Sequence, residues 1–213
     1  MGLAPYSSSA VAHFDQDGKA NLRDVLRLLF RARRRRADLQ GLKFVFMTGL
    51  GEGPLLATRI FKEDRPHIIA VTLPPYFRTS DGCIQGIAEE VSAYLRAMKV
   101  DIITSRLPFD GMGAGSFDQE MNVIKSVLSR VGRSFPLCVQ AVLQACDHGL
   151  IAEGEDVIGI TGDTAAVITA STTANFLSPQ SQFYVREFIC KPRRRNEGAP
   201  EVGKTKILLP SPR

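Results

Sequence analysis

The chain has 213 residues, 44% of them hydrophobic, and contains no apolar run near the ~18 residues that a membrane-spanning helix needs. That length suits one well-filled core and excludes two large domains. The net charge of +5 suggests a nucleic-acid partner only until it is located. Residues 191–213 hold Lys191, Arg193, Arg194, Arg195, Lys204, Lys206 and Arg213 against Glu197 and Glu201, so the preceding 190 residues are neutral overall.

The segment Met1–Ala12 carries serines but neither arginine nor a long apolar stretch. It reads as an N-terminal tail without a secretory signal or presequence. Tyr6 stands where a myristoylation motif after Gly2 wants Ser or Thr. Cys83, Cys138, Cys146 and Cys190 show no Cys-x-x-Cys spacing. They imply buried thiols in a reducing, cytoplasmic setting and no metal site.

In chain order, Asn21 and Asp24 mark a helix start, and Leu22, Val25, Leu26, Leu29 and Phe30 recur on one helical face. That helix runs into Arg31-Ala-Arg-Arg-Arg-Arg36, five arginines in six positions. Such a run reads as a solvated helix end whose cations favour the dipole, with phosphate contact as the alternative. Residues 43–72 then hold an apolar strand, the turn Gly49-Leu-Gly-Glu-Gly-Pro54, a helical stretch and a second apolar strand ending in Ala70-Val-Thr72. This is the pattern of a crossover between parallel strands.

Residues 80–98 have helical periodicity through Ile84, Ile87, Val91 and Leu95, and a short strand follows at 100–104. The glycine loop Asp110–Ser116 leads into a helix over 117–130, with Ser116 as its cap. Another helix starts near Ser134 or Pro136 and stops at Gly149. Three β-like runs, 156–161, 165–170 and 182–190, have no helix between them, so the first two form an antiparallel pair around Gly162-Asp163-Thr164. The sum is an α/β chain: a three-layer α/β/α arrangement with a mixed, mainly parallel sheet over residues 13–195. Residues 196–213 read as a disordered basic tail.

Met47-Thr-Gly-Leu-Gly-Glu-Gly53 with Arg65-Pro-His-Ile-Ile-Ala-Val-Thr72 resembles the C-terminal domain of pyruvate kinase. The stretches 133–139, 149–160, 162–168 and 183–193 look like stand-alone, largely uncharacterised relatives of that domain. The likeness implies that fold, a homo-oligomer with the last strand at an edge, and no pyruvate kinase activity, because the barrel that carries the chemistry has no room here. In some pyruvate kinases the matching loop binds a sugar phosphate. Here Thr48 and Gly51 match, whereas Leu50 and Gly53 stand where hydroxyl residues are expected.

Each lost hydrogen bond to a charged group removes about 1.5–3 kcal/mol. What stays available are the backbone amides of Gly49, Gly51 and Gly53, which can form an anion nest. The turn reads either as a tight strand-to-helix connection or as part of a ligand pocket shared with the second glycine loop, where Gly113 and Ser116 are the candidates. Asp163 and Thr164 are candidates for ligand contact, against the simpler role of bonding their own turn. Neither glycine loop matches a dinucleotide or Walker motif, and no nucleophile elbow is present. The expectation is a non-catalytic binding domain for a small phosphorylated or anionic metabolite, without cofactor, membrane or nucleic-acid partner. The alternatives are an enzyme acting on a phosphorylated small molecule, or an assembly or nucleic-acid-binding module.

Overall fold

A computed structural model describes residues 10–75, 86–109 and 116–195, with the backbone alone at 116–118. The strands are β1 (Ala12–Gln16), β2 (Lys43–Met47), β3 (Ile68–Thr72), β4 (Asp101–Thr104), β5 (Asp156–Ile160), β6 (Ala165–Thr169) and β7 (Tyr184–Arg194). The α-helices are α1 (Leu22–Arg35), α2 (Glu52–Ile60), α3 (Glu89–Ala97), α4 (Ser116–Leu128) and α5 (Phe135–Asp147). The seven strands form one sheet in the order β1-β7-β6-β5-β2-β3-β4. Six of them point the same way, and β6 alone opposes them, pairing antiparallel with both β5 and β7.

Both faces of the sheet are covered, which is why the central strands are apolar throughout rather than alternating. On one face Phe44, Phe46, Ile158 and Ile160 meet Val25, Leu26 and Leu29 of α1, Leu55 of α2 and Leu95 of α3. On the other, Val45, Ile69, Val157 and Ile168 meet α5 through Cys138, Val139 and Val142. Gly159 lets α5 lie close to the sheet, since a Cβ there would stand 3.4 Å from Val142 and 3.5 Å from Cys138. Gly149, at φ +70, takes the left-handed position that ends α5. Among the described residues no helix is long and apolar enough to cross a membrane.

Four sequence expectations change. Ala12–Gln16 is a strand, so part of the supposed tail belongs to the sheet, and β7 runs on to Arg194 because β1 pairs with it from Cys190. The edges among the described residues are therefore β1 and β4, and β7, expected at an edge, is interior. Helix α3 begins at Glu89, and residues 80–85 of the expected helix lie outside the described residues. Gly86 has φ +107 and Ala88 is extended, so Ile87 lies before the helix, and Ile84 lies outside the described residues. Asn21 makes no side-chain cap; its Nδ2 donates to Gln16 O and ties the start of α1 to β1.

The arginine run is only partly solvated. Arg33 is 3% exposed, and its Nε donates to Asp64 at 2.8 Å while Nη1 donates to Leu39 O and Leu42 O at 2.9 and 3.2 Å. Its guanidinium also lies over the Phe44 ring, 5.0 Å from the centroid. Arg36 bridges Asp38 and Glu187, which holds the Asp38 carboxyl below the usual carboxylate range, chiefly through the hydrogen bond from Arg36.

Candidate ligand site at the carboxyl edge of the sheet

The strands β2, β3, β4 and β5 all end at one edge, where ligands collect in parallel α/β sheets. Thr48 continues the ladder, its N–H donating to Val71 O at 3.0 Å, and its Oγ1 accepts from the Gly51 amide at 3.0 Å. Gly49 O accepts from the Gly86 amide at 2.9 Å and from Thr72 Oγ1 at 3.3 Å. The turn is thus fastened at both ends, to β3 and to the segment entering α3.

Each of the last two glycines has a steric reason. Gly51 sits at φ +90, in the left-handed region, and a Cβ there would stand 3.1 Å from Val91. A Cβ at Gly53 would stand 2.8 Å from Phe46 Cδ1. Leu55 N–H donates to Gly51 O, which leaves the first-turn amides of Glu52 and Gly53 without an intrahelical acceptor. Glu52 opens α2, where the helix dipole favours a carboxylate, yet its Oε1 is buried and has no hydrogen-bond partner among the described residues.

Asp163 follows β5 at the same edge but is turned inward. It is 1% exposed, and its Oδ2 accepts from the Gly18 amide at 2.9 Å and from Ser134 Oγ at 3.1 Å. Its Oδ1 accepts from Thr164 Oγ1 at 2.8 Å and from Thr161 Oγ1 at 3.5 Å. Thr164 is fully buried. This carboxylate therefore joins three pieces of chain: the turn after β1, the entry to α5 and the β5–β6 turn. Gly162 lies 3.0 Å, at its would-be Cβ, from Lys19 Cα, so the turns of β1 and β5 are in direct contact.

The register Phe46↔Ile160 sets the turns after β2 and β5 side by side. No described hydrogen bond links the Thr48–Gly53 turn to Asp163 or Thr164, and the two sets do not form one cluster. Gly113 lies outside the described residues, and Ser116 is the first residue of α4, its side chain likewise outside them. Two features were not expected from the sequence. Asp17-Gly18, after β1, is a turn dipeptide whose partner, Asp163, is 145 positions away. Gln140 of α5 is fully buried; its Oε1 accepts from the Phe109 amide at 2.7 Å, and its Nε2 has no partner among the described residues. No protein-family model matches this chain.

Proposed function

We propose that this chain is a binding domain of the pyruvate kinase C-terminal type for a small phosphorylated or anionic metabolite, held at the carboxyl edge of β2 and β3. The observation that carries the proposal is the Thr48–Gly53 turn, which leads from a parallel strand into the N-terminus of α2 and leaves first-turn amides without acceptors. The Gly51 amide, expected as part of an anion nest, is spent on Thr48 Oγ1. The donors left to the ligand are the amides of Glu52 and Gly53 and the Thr48 hydroxyl, which as an acceptor there keeps its own proton. The Glu52 carboxylate repels a bare anion, and its buried Oε1 has unmet acceptor capacity. A ligand bearing both a phosphate and hydroxyl groups, such as a sugar phosphate, suits both features. Asp163 and Thr164 act in the proposal as internal supports of that edge.

A thermal-shift panel of sugar phosphates and nucleotides at low salt tests it. Stabilisation by at least one sugar phosphate at millimolar concentration is expected, and a larger one in Glu52→Gln, which keeps a carbonyl acceptor and removes the repelling charge. No stabilisation by any of them sinks the proposal. The resemblance also implies homo-oligomerisation, and exposed Val123 and Val127, one turn apart on α4, supply an apolar surface for it. Light scattering on the purified chain distinguishes a monomer from an assembly. The free, buried thiols of Cys138, Cys146 and Cys190 support a reducing, cytoplasmic setting.

A further inference from the structure

A groove of about 870 Å3 opens at the opposite end of the sheet, at the amino ends of β3 and β4, between the last turns of α2 and α3. One five-residue strand, roughly 16 Å at ~3.3 Å per residue, separates it from the Thr48–Gly53 turn. Its volume falls within the range of small-molecule sites, about 300–1,000 Å3. Buried Phe61, Ile68 and Val100 contribute an apolar floor. Lys62, Arg65 and Lys99 line it with positive charge against a single carboxylate, Asp101, which is bonded to His67 Nε2 at 2.5 Å. Among the described residues neither Lys62 nor Lys99 has an ion-pair partner, whereas Arg96 Nη1 reaches back along α3 to Glu89 at 3.4 Å, so that its stem rather than its guanidinium borders the groove.

Cations at helix C-termini offset the macrodipole, and that alone would account for Arg96 and Lys62. It does not account for the backbone. Arg65 at φ +38 and Lys99 at φ +61 are the two non-glycine residues with positive φ among those described, and both line this groove. Lys99 occupies the reversal after α3, where Lys99 N–H returns to Arg96 O and Val100 N–H to Leu95 O. Glycine is the usual occupant of such a reversal. A cation is kept at two backbone positions that disfavour any side chain, and strain of this kind gathers at ligand sites.

We propose that this groove binds a small polyanion carrying two or more phosphate groups, gripped by the Arg65 guanidinium group and by the Lys62 and Lys99 ammonium groups. Arginine forks match phosphate oxygens in pairs, and the lysines add mobile point charges. The site is separate from the carboxyl-edge turn and does not depend on it.

The test is calorimetric titration of the full chain with inorganic pyrophosphate at ~0.15 M salt. Saturable binding with a Kd below about 1 mM is expected, weakened at least tenfold in the Lys62→Ala/Lys99→Gly double variant. Lys99→Gly alone should raise Tm by about 2–4 °C, because glycine accepts the left-handed backbone, and that rise shows the variant to be folded. Absence of saturable heat overturns the proposal. So does equal binding of sulfate, the mark of a screened counter-ion patch. Pyrophosphate affinity unchanged in the folded double variant places the ligand elsewhere and overturns it too.

Discussion

Replacing Arg33 by methionine isolates the arginine of the 31–36 run that the fold depends on. The substitution keeps most of the apolar stem and removes the guanidinium. Leu39 O and Leu42 O then lose a charged donor, and Asp64 loses its partner at 2.8 Å. Breaking a buried pair from one side costs about 3–5 kcal/mol. The Asp64 side chain is 38% exposed, so water recovers part of its loss and the lower figure, about 3 kcal/mol, applies. For a domain of this size that lowers Tm by about 6–12 °C. Arg35→Met, an exposed neighbour two residues on, should change stability by no more than about 0.5 kcal/mol. Urea denaturation followed by circular dichroism, with m-values compared, measures both. A loss under about 1 kcal/mol for Arg33→Met, or equal losses at the two sites, refutes the structural role.

Asp163→Asn puts an amide among donors from Gly18, Ser134, Thr161 and Thr164, and should cost about 1–3 kcal/mol in the same assay. A neutral result would mean that the turns after β1 and β5 hold together without it. Burial keeps the thiols neutral, raising Cys146 to about 11 and Cys190 to about 12 from an ordinary value near 9. The unfolded chain releases those protons first, so stability is full below pH ~9 and falls above it by up to about 1.4 kcal/mol per pH unit and thiol. The urea midpoint should drop between pH 8 and 10.5, and by less in Cys190→Ala; an equal drop in both excludes the Cys190 thiol as a contributor.

Much of the scaffold was legible because its signals are local. The apolar runs at 43–47, 68–72 and 156–160, the glycine that ends α5 and the β5–β6 hairpin all announce themselves within a few residues. The misses depend on distant partners. Nothing near Ala12–Gln16 marks a strand, since its five residues are stabilised by pairing with Cys190–Arg194. Arg33 looks like its neighbours in sequence, and only the return of Leu39, Leu42 and Asp64 around it buries its charge. Asp163 was legible as an acid in a turn, but its orientation is set by Gly18 and Ser134, which no short window contains. The amino-edge groove was invisible for the same reason, as its cations come from two segments more than thirty residues apart.

The glycine turn is where sequence and structure bear most directly on one another. Gly53 offers the turn no hydroxyl donor; in the fold it is also the residue that makes room for Phe46. With 2.8 Å between a would-be Cβ and Phe46 Cδ1, any side chain at position 53 must displace a ring that is 1% exposed and packed edge-on against Phe44 at 6.4 Å. Gly53→Ala should therefore cost about 1–3 kcal/mol by overpacking. Phe46→Val should cost roughly 2–4 kcal/mol, somewhat less than a truncation to alanine. If the two positions share one space, the double variant costs less than the sum, because the new methyl enters the volume the ring has left. A coupling energy of about 1–3 kcal/mol in a double-mutant cycle is expected. Costs that add to within ~0.5 kcal/mol would show that Gly53 is not held by Phe46. A coupled pair means that no side chain, a hydroxyl-bearing one included, fits at position 53 while the phenylalanine stays, so the packing beneath this turn limits the donors it can offer.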